Sequence, residues 1–313
     1  VRKAFVRSLV DLAEADPGIV LLTGDLGFMA LEPFSERFPD RFFNVGVAEQ
    51  NMIGLATGLA DGGFRPYCYS IAPFAALRGY EFLRNGPVAH GLPVRVVGVG
   101  GGFEYGSAGP THHGVDDVGV MRVQPGLCVV SPADAAQTST ALVATSDLPG
   151  PVYLRIGKDD SREVAGLDGR FELGRTQQVR SGEDGVVFTM GSVSADVVRA
   201  VDVLAARGVS PAVEVVASVS PAPVDDIVAA LERAGGAAVT VEAHSLVGGL
   251  GSLVAETAAE HGIHCRLTRC GADDWYRTPS GSEQYLHGVH GLTTEALVAT
   301  IEAAVSRAPV ERT

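Results

Sequence analysis

Two doubly wound α/β domains with mainly parallel sheets are what this sequence predicts, on three observations. Short apolar runs alternate with segments of helical period along almost the whole chain. The 313 residues exceed the usual size of one domain. A charged stretch without periodicity divides the pattern near its middle.

The first element is a helix, with Phe5, Leu9, Leu12 and Ala13 on one face and Asp16-Pro17-Gly18 ending it. The apolar run Ile19-Val20-Leu21-Leu22 reads as a buried strand. The alternation continues with a strand near 42–46, helix 49–61, strand 66–70, helix 74–90, strand 94–99, helix 115–122, strand 127–131, helix 133–146 and strand 151–156. Right-handed crossovers at this spacing give a parallel sheet covered on both faces. Periodicity then fades over 158–180, where Lys158-Asp159-Asp160-Ser161-Arg162-Glu163 is charged. The division expected is a first domain over 1–160, a linker over 161–180 and a second domain over 181–313. The second carries strands near 186–190, 212–216, 237–242 and 263–268. Its helices fall near 193–207, 224–234, 250–261 and 293–306. The stretch Trp275–Gly288 reads as an ordered loop running into a short helix capped by Ser280 or Ser282, with a role in dimer contact.

Hydrophobic residues at 46% supply two cores, and the 39 glycines suit close strand–helix packing. A net charge of −13 argues against nucleic acid and anionic membranes as partners but leaves phosphorylated ligands open, since local donors bind those. No apolar run approaches a bilayer-spanning length. The four cysteines (Cys68, Cys128, Cys265, Cys270) form no disulfide framework, which fits a cytoplasmic setting. The group His261, His264, Cys265 and Cys270 matches no standard zinc spacing, and no metal site is assigned.

Ligands in doubly wound sheets sit beyond the carboxyl ends of strands. Asp25, Glu49, the 100–114 loop and Lys158 all follow expected strands, so one edge gathers them. Glu49 stands out because it ends an apolar run and opens a helix containing Met52, Ile53, Leu55 and Ala56. A helix-start glutamate favoured by the macrodipole is the plain alternative to a chemical role. Gly98-Val99-Gly100-Gly101-Gly102-Phe103 leads into a loop and lacks the third glycine of a dinucleotide fingerprint.

Five stretches in order resemble the C-terminal two-thirds of transketolases, as found in split-gene versions. They are Gly24-Asp25-Leu26, Asn44 to Gly58, Pro73 to Arg78, Gly109-Pro110-Thr111-His112-His113, and Val241 to Ser245 with Gly248 to Ser252. The resemblance extends less closely to deoxyxylulose-phosphate synthases and to β subunits of 2-oxo acid dehydrogenases. It implies thiamine diphosphate as cofactor. Glu49 would hydrogen-bond the aminopyrimidine, where a desolvated carboxyl can share a proton with the ring. Asp25 joins the cofactor site, and Ile71, Phe74 and Leu77 form the wall for the pyrimidine, with Phe74 stacking. His112 would contact substrate hydroxyls, and His113 serves as a second donor or orients the loop.

The departures matter as much. The acidic residue usual before the Gly-Pro is replaced by Ala108. The family's phosphate-gripping positions fall on Arg2, Met29, Gly100 and Lys158, of which only Arg2 and Lys158 are charged. An altered substrate is therefore expected. The family's Gly-Asp-Gly motif with a downstream Asn, which holds diphosphate and Mg2+ or Ca2+, is absent from the 313 residues. The resemblance then implies an N-terminal partner subunit carrying that motif, in an α2β2 heterotetramer transferring a two-carbon ketol unit. Two alternatives stand beside this: a β subunit of a 2-oxo acid dehydrogenase or decarboxylase, and a non-catalytic scaffold or regulatory homologue.

Overall fold

The computed structural model describes residues 1–306. The strands are β1 (Ile19–Thr23), β2 (Phe42–Asn44), β3 (Arg65–Ile71), β4 (Arg95–Val99), β5 (Cys128–Val130), β6 (Val152–Ile156), β7 (Gln177–Arg180), β8 (Val186–Met190), β9 (Ala212–Val215), β10 (Ser218–Ser220), β11 (Ala237–Ser245) and β12 (Arg266–Ala272). The helices are α1 (Arg2–Ala15), α2 (Glu32–Arg37), α3 (Glu49–Asp61), α4 (Tyr80–Leu83), α5 (Asp117–Arg122), α6 (Ala135–Ser146), α7 (Ser194–Ala205), α8 (Val224–Arg233), α9 (Leu250–Glu260), α10 (Glu283–Val289) and α11 (Thr294–Val305).

One sheet runs β10-β5-β6-β4-β3-β1-β2 and the other β12-β11-β8-β9-β7. Both are parallel except at one edge, where β10 runs against β5 and β7 against β9. The two mainly parallel α/β sheets are those that the alternating pattern predicts. Strand pleating sorts their side chains by face. Leu21, Tyr69 and Val97 pack with Phe5 and Leu9 of α1, while Leu22, Cys68 and Val96 pack with Met52 and Ile53 of α3. The α3-side core continues without a break into Phe188 of the second sheet and Leu250 and Leu253 of α9. A third cluster joins Val187, Val239 and Val241 to α7 and α11.

Three local features depart from the sequence expectation. The helix expected over 74–90 is α-helical only at α4, between π-helical turns at Phe74–Arg78 and Arg84–Val88. Pro87 withholds an N–H from the regular ladder. Gly79 and Gly86 lie so close to α3 that an added Cβ would sit 2.9 Å from Ile53 and 2.6 Å from Thr57. The stretch read as linker ends in β7, whose backbone completes the edge of the second sheet. Strand β10, from the second half of the sequence, adds to the first sheet, with Ser131 N–H donating to Ala217 O and Ser220 Oγ to Leu127 O.

The halves are also joined by a buried polar cluster. Arg155 on β6 donates through Nε to Asp117 Oδ2 (3.0 Å) and through Nη2 to Gly114 O (2.6 Å) and Ala243 O (2.8 Å). Tyr153 donates to the same carboxylate oxygen at 2.6 Å. Arg155 is 4% exposed and Asp117 fully buried. Removing one member strands the other's charge, a loss of about 3–5 kcal/mol for buried pairs. We expect Asp117→Ala to lower the urea midpoint by an amount in that range. The Asp117→Ala/Arg155→Met double variant should recover part of the loss, measured by equilibrium unfolding.

Candidate active site

The loops after β1, β2, β3, β4 and β6 meet at one edge of the first sheet. β1 lies between β2 and β3, so chain direction across the sheet reverses there, where such sheets place ligands. Asp25, following β1, adopts a left-handed conformation with φ 57°. Its backbone N–H donates to Asn44 Oδ1 (3.0 Å), and Asn44 Nδ2 donates to Asp25 Oδ1 (2.9 Å). Asn44 Oδ1 also accepts the Gly46 N–H. This reciprocal lock ties the β1 turn to the entry of α3.

Glu49, the first residue of α3, is 2% exposed. Its Oε1 accepts from Ser70 Oγ at 2.9 Å and its Oε2 from Arg78 Nη1 at 3.0 Å. The carboxylate is thus turned to the strand edge, where it is paired as buried charge must be. The guanidinium of Arg78 lies 4.1 Å over the Phe74 ring, a cation–π contact. Phe74 also meets His112 edge-on, with ring centroids 4.9 Å apart. Thr111 Oγ1 lies 3.0 Å from His112 Nδ1. His112 is 6.5 Å from Tyr105, whose ring holds the Lys158 ammonium at 4.6 Å. The charge of Arg2 acts on the hydroxyls of Tyr69 and Tyr105, opposing the rise that burial causes.

Glu49, Arg78, Phe74, His112, Tyr105, Lys158 and Arg2 therefore form one continuous set. Ile71 closes β3 half-buried, while Leu77 is exposed. His113 stands apart from its neighbour. It is 1% exposed, with Nε2 3.3 Å from Gly106 O and its ring against Phe103 and Trp275. Burial holds its pKa below the ordinary range. Of the two roles open to it in the sequence, these contacts fit that of orienting the loop.

The seat of that loop comes from the second half of the chain. His290 stacks on Phe103 at 4.9 Å with the planes 6° apart. A Cβ on Gly106 would meet Leu286 of α10 at 2.5 Å. Ser282 caps α10 by accepting the Tyr285 N–H. The 275–288 stretch, expected as a dimer contact, seats this loop through Trp275 and Leu286 and leaves Tyr276 and Tyr285 exposed. Glu242, whose role the sequence left open, caps α9 by accepting the Leu250 and Gly251 N–H groups, each at 2.7 Å. His244 Nε2 accepts the Gly119 N–H at 3.1 Å. Ser70, Arg78 and Tyr105 touch the candidate residues Glu49 and His112, and the sequence pattern assigned them no role. A signal existed for Arg78, which lies one helical turn beyond Phe74. Among the described residues no group of three or more His, Cys, Asp and Glu could hold a metal ion. No described helix is long and apolar enough to cross a membrane.

Residues 1–163 match the family described as the transketolase pyrimidine-binding domain, and residues 174–297 match the transketolase C-terminal domain. Fold and site together define a chain that pairs these two domains. The chain belongs to the transketolase family. It is 33% identical over 304 residues to a putative transketolase C-terminal section from Methanocaldococcus jannaschii, covering 96% of this chain and 95% of that protein. It is 33% identical to the 6-deoxy-6-sulfo-D-fructose transketolase subunit SqwH of Clostridium sp. (95% and 92% covered). It is also 33% identical to one of the apulose-4-phosphate transketolase subunits of Phocaeicola vulgatus (85% and 86% covered). Among solved structures it superposes on a split-gene transketolase described as an inactive β4 tetramer, with TM-score 0.86, 35% identity and 97% of each chain covered.

The histidine seat yields a pH expectation. His287 on α10 is buried near Phe103, and burial, with the charge of Arg162, pushes its pKa down to about 4. The unfolded chain binds this proton near the ordinary value of about 6.5. The His287 contribution is therefore present above that value and lost as pH falls through about 4. His287→Gln should flatten the acid limb of the stability profile, read from urea unfolding at a series of pH values.

Proposed function

We propose that this chain is the C-terminal subunit of a thiamine-diphosphate-dependent transketolase that moves a two-carbon ketol unit from a ketose donor to an aldehyde acceptor. The observation that carries this reading is Glu49, a buried carboxylate directed at the strand edge of a pyrimidine-binding domain. The residues present fit the pyrimidine end of the cofactor. Glu49 would bind the ring, Phe74 with Ile71 and Leu77 would face it, and Asp25 with Asn44 would fix the turn beside it. Gly24 keeps the space next to the carboxylate narrow but open, since a Cβ there would stand 3.5 Å from Glu49 Oε1.

When bound, thiamine diphosphate supplies the carbon nucleophile that accepts and releases the ketol unit. The chain's own residues bind and orient. Glu49 would hydrogen-bond the aminopyrimidine, and Ser70 and Arg78 hold its carboxylate in place. His112 packs edge-on with Phe74 and has Thr111 Oγ1 at Nδ1, so its Nε2 would be the nitrogen left for substrate hydroxyls. Lys158 and Arg2 supply positive charge for an anionic substrate end.

The diphosphate and metal site lies outside these residues. A partner subunit with Gly-Asp-Gly and a downstream Asn would supply it, with Mg2+ or Ca2+, in an α2β2 assembly. The names of the relatives, as subunits of transketolases and as an inactive β4 tetramer, support that division. Those names also include a phosphorylated and a sulfonated sugar. With Ala108 in place of an acid, we read the substrate as an anionic ketose other than the ordinary sugar phosphates.

A native pull-down with this chain as bait, followed by mass spectrometry, should recover a stoichiometric partner bearing the missing motif. The assembled enzyme should transfer ketol units, and Glu49→Ala should lower kcat by about 100-fold or more. Oxidation of a 2-oxo acid with a dye acceptor in place of transfer would assign the dehydrogenase β-subunit role instead. A chain that finds no partner and forms only itself would point to a non-catalytic homologue.

A further inference from the structure

In the second sheet the carboxyl ends of β8 and β11 are covered by the first half of the chain. Arg155 donates to Ala243 O there, and a Cβ on Gly191 would stand 3.3 Å from Ser131 Oγ. At the opposite, amino edge of the same sheet a cavity of about 710 Å3 opens between the first residues of β8 and β9, the turn before β8 and the end of α8. Ile227 and Leu231 of α8 pack into the core, but Ala230 and Ala234, one helical turn apart, line the cavity with Ala212 of β9. Alanines cannot fill a space that protein interiors otherwise close. Its rim is fixed. Asp184 N–H donates to Ser210 O (3.2 Å), Asp184 Oδ2 accepts the Ser210 N–H (2.7 Å), and a Cβ on Gly182 would run into Ser210 O.

Glu214 of β9 lines this cavity and is 3% exposed. Its Oε2 accepts from Thr176 Oγ1 at 2.7 Å and its Oε1 from Gln178 Nε2 at 3.1 Å, and both donors are uncharged. Thr176 is itself fixed, because its N–H donates to Asp226 Oδ2 of α8 at 2.9 Å. The cation that approaches Glu214 is Arg233, with Nη2 3.7 Å from Oε1. The Arg233 side chain is 63% exposed, so solvent screens most of that attraction. Burial accordingly holds the Glu214 carboxyl above its usual range. A buried carboxylate needs a close, desolvated cation, and the cavity is the side from which one can come.

We infer that this cavity is a binding site for a small aliphatic amine, whose ammonium pairs with Glu214 while its methylenes lie on Val186, Ala212 and Ala230. Glu183, exposed in the lining, provides a second carboxylate and favours a diamine over a monoamine. Two acids against one guanidinium give the lining an excess of negative charge, which repels an anion of the same size. Arg233, reaching in from solvent, gives way when the ammonium takes its place. The inference concerns the amino edge of the second sheet and is independent of the transfer reaction proposed for the Glu49 edge.

The probe is 1,4-diaminobutane, titrated into the full chain by calorimetry at about pH 8, where an alkylammonium keeps its proton. The net charge of −13 attracts cations diffusely, so the salt concentration is held fixed and a saturable one-to-one isotherm is required. We expect that isotherm, and 1,4-butanediol, of the same length without charge, should bind about tenfold more weakly or worse. Glu214→Gln removes the charge and keeps the shape, and should weaken the diamine by a similar factor. Ala230→Leu fills the space and should abolish binding. Arg233→Gln removes the competing cation and should tighten binding about threefold. Melting curves are recorded for every variant. Glu214→Gln acts through charge and Ala230→Leu through volume, so a folding defect in one leaves the other to decide. The inference is overturned if the diamine binds a folded Glu214→Gln or Ala230→Leu variant as it binds the unaltered chain, or if the diol binds equally well. Loss of binding in Arg233→Gln, or no saturable binding to the unaltered chain, overturns it as well.

Discussion

The buried ion pair between Arg155 and Asp117 is the constraint on which the arrangement of this chain depends. Arg155 belongs to a central strand of the first sheet, yet its guanidinium donates to Gly114 at the end of the histidine loop and to Ala243 on β11. Asp117 neutralises that charge and also accepts from Tyr153, two residues before Arg155 on the same sheet face. One cation therefore fixes the exit of the 100–114 loop, the start of α5 and strand β11 of the second sheet. Such a pair adds little net stability over apolar packing. Its value here lies in geometry, since the donors of the fork are committed to different elements.

The candidate site inherits its order from that frame. Glu49 and Lys158 lie at two ends of a chain of contacts through Arg78, Phe74, His112 and Tyr105. Each link is a cation on a ring, a ring on a ring or a charge-assisted hydrogen bond, so the groups hold each other without burying the edge they face. The π-helical turn at Phe74–Arg78 places Phe74 and Arg78 against one another while Gly79 lets the segment lie close on α3. Widened turns of this sort are common at functional sites because they re-aim side chains within a helix.

The second half of the chain is part of this site through packing rather than chemistry. His290, Leu286 and Trp275 form the floor beneath Phe103, Gly106 and His113. Glu242 commits its charge to the start of α9, and His244 reaches across to α5. Their strand-end position resembles that of catalytic groups, but their partners are backbone N–H groups at helix starts, which require an acceptor once buried.

The sequence by itself determined the layered fold and singled out Glu49 as the candidate at its strand edge. Strand and helix periods are local properties, so the alternation that builds both sheets is written residue by residue. Glu49 was legible because a carboxylate at the end of an apolar run has few ways to be accommodated. What escaped the sequence depended on contacts between distant segments. β7 and β10 are short edge strands with weak patterns, and only the neighbouring backbone makes them strands. Arg78 and Ser70 became partners of Glu49, and His113 parted from His112, through the packing of loops against each other. Side-chain direction and charge pairing are decided by what lies across the fold, and that is a property of tertiary structure alone.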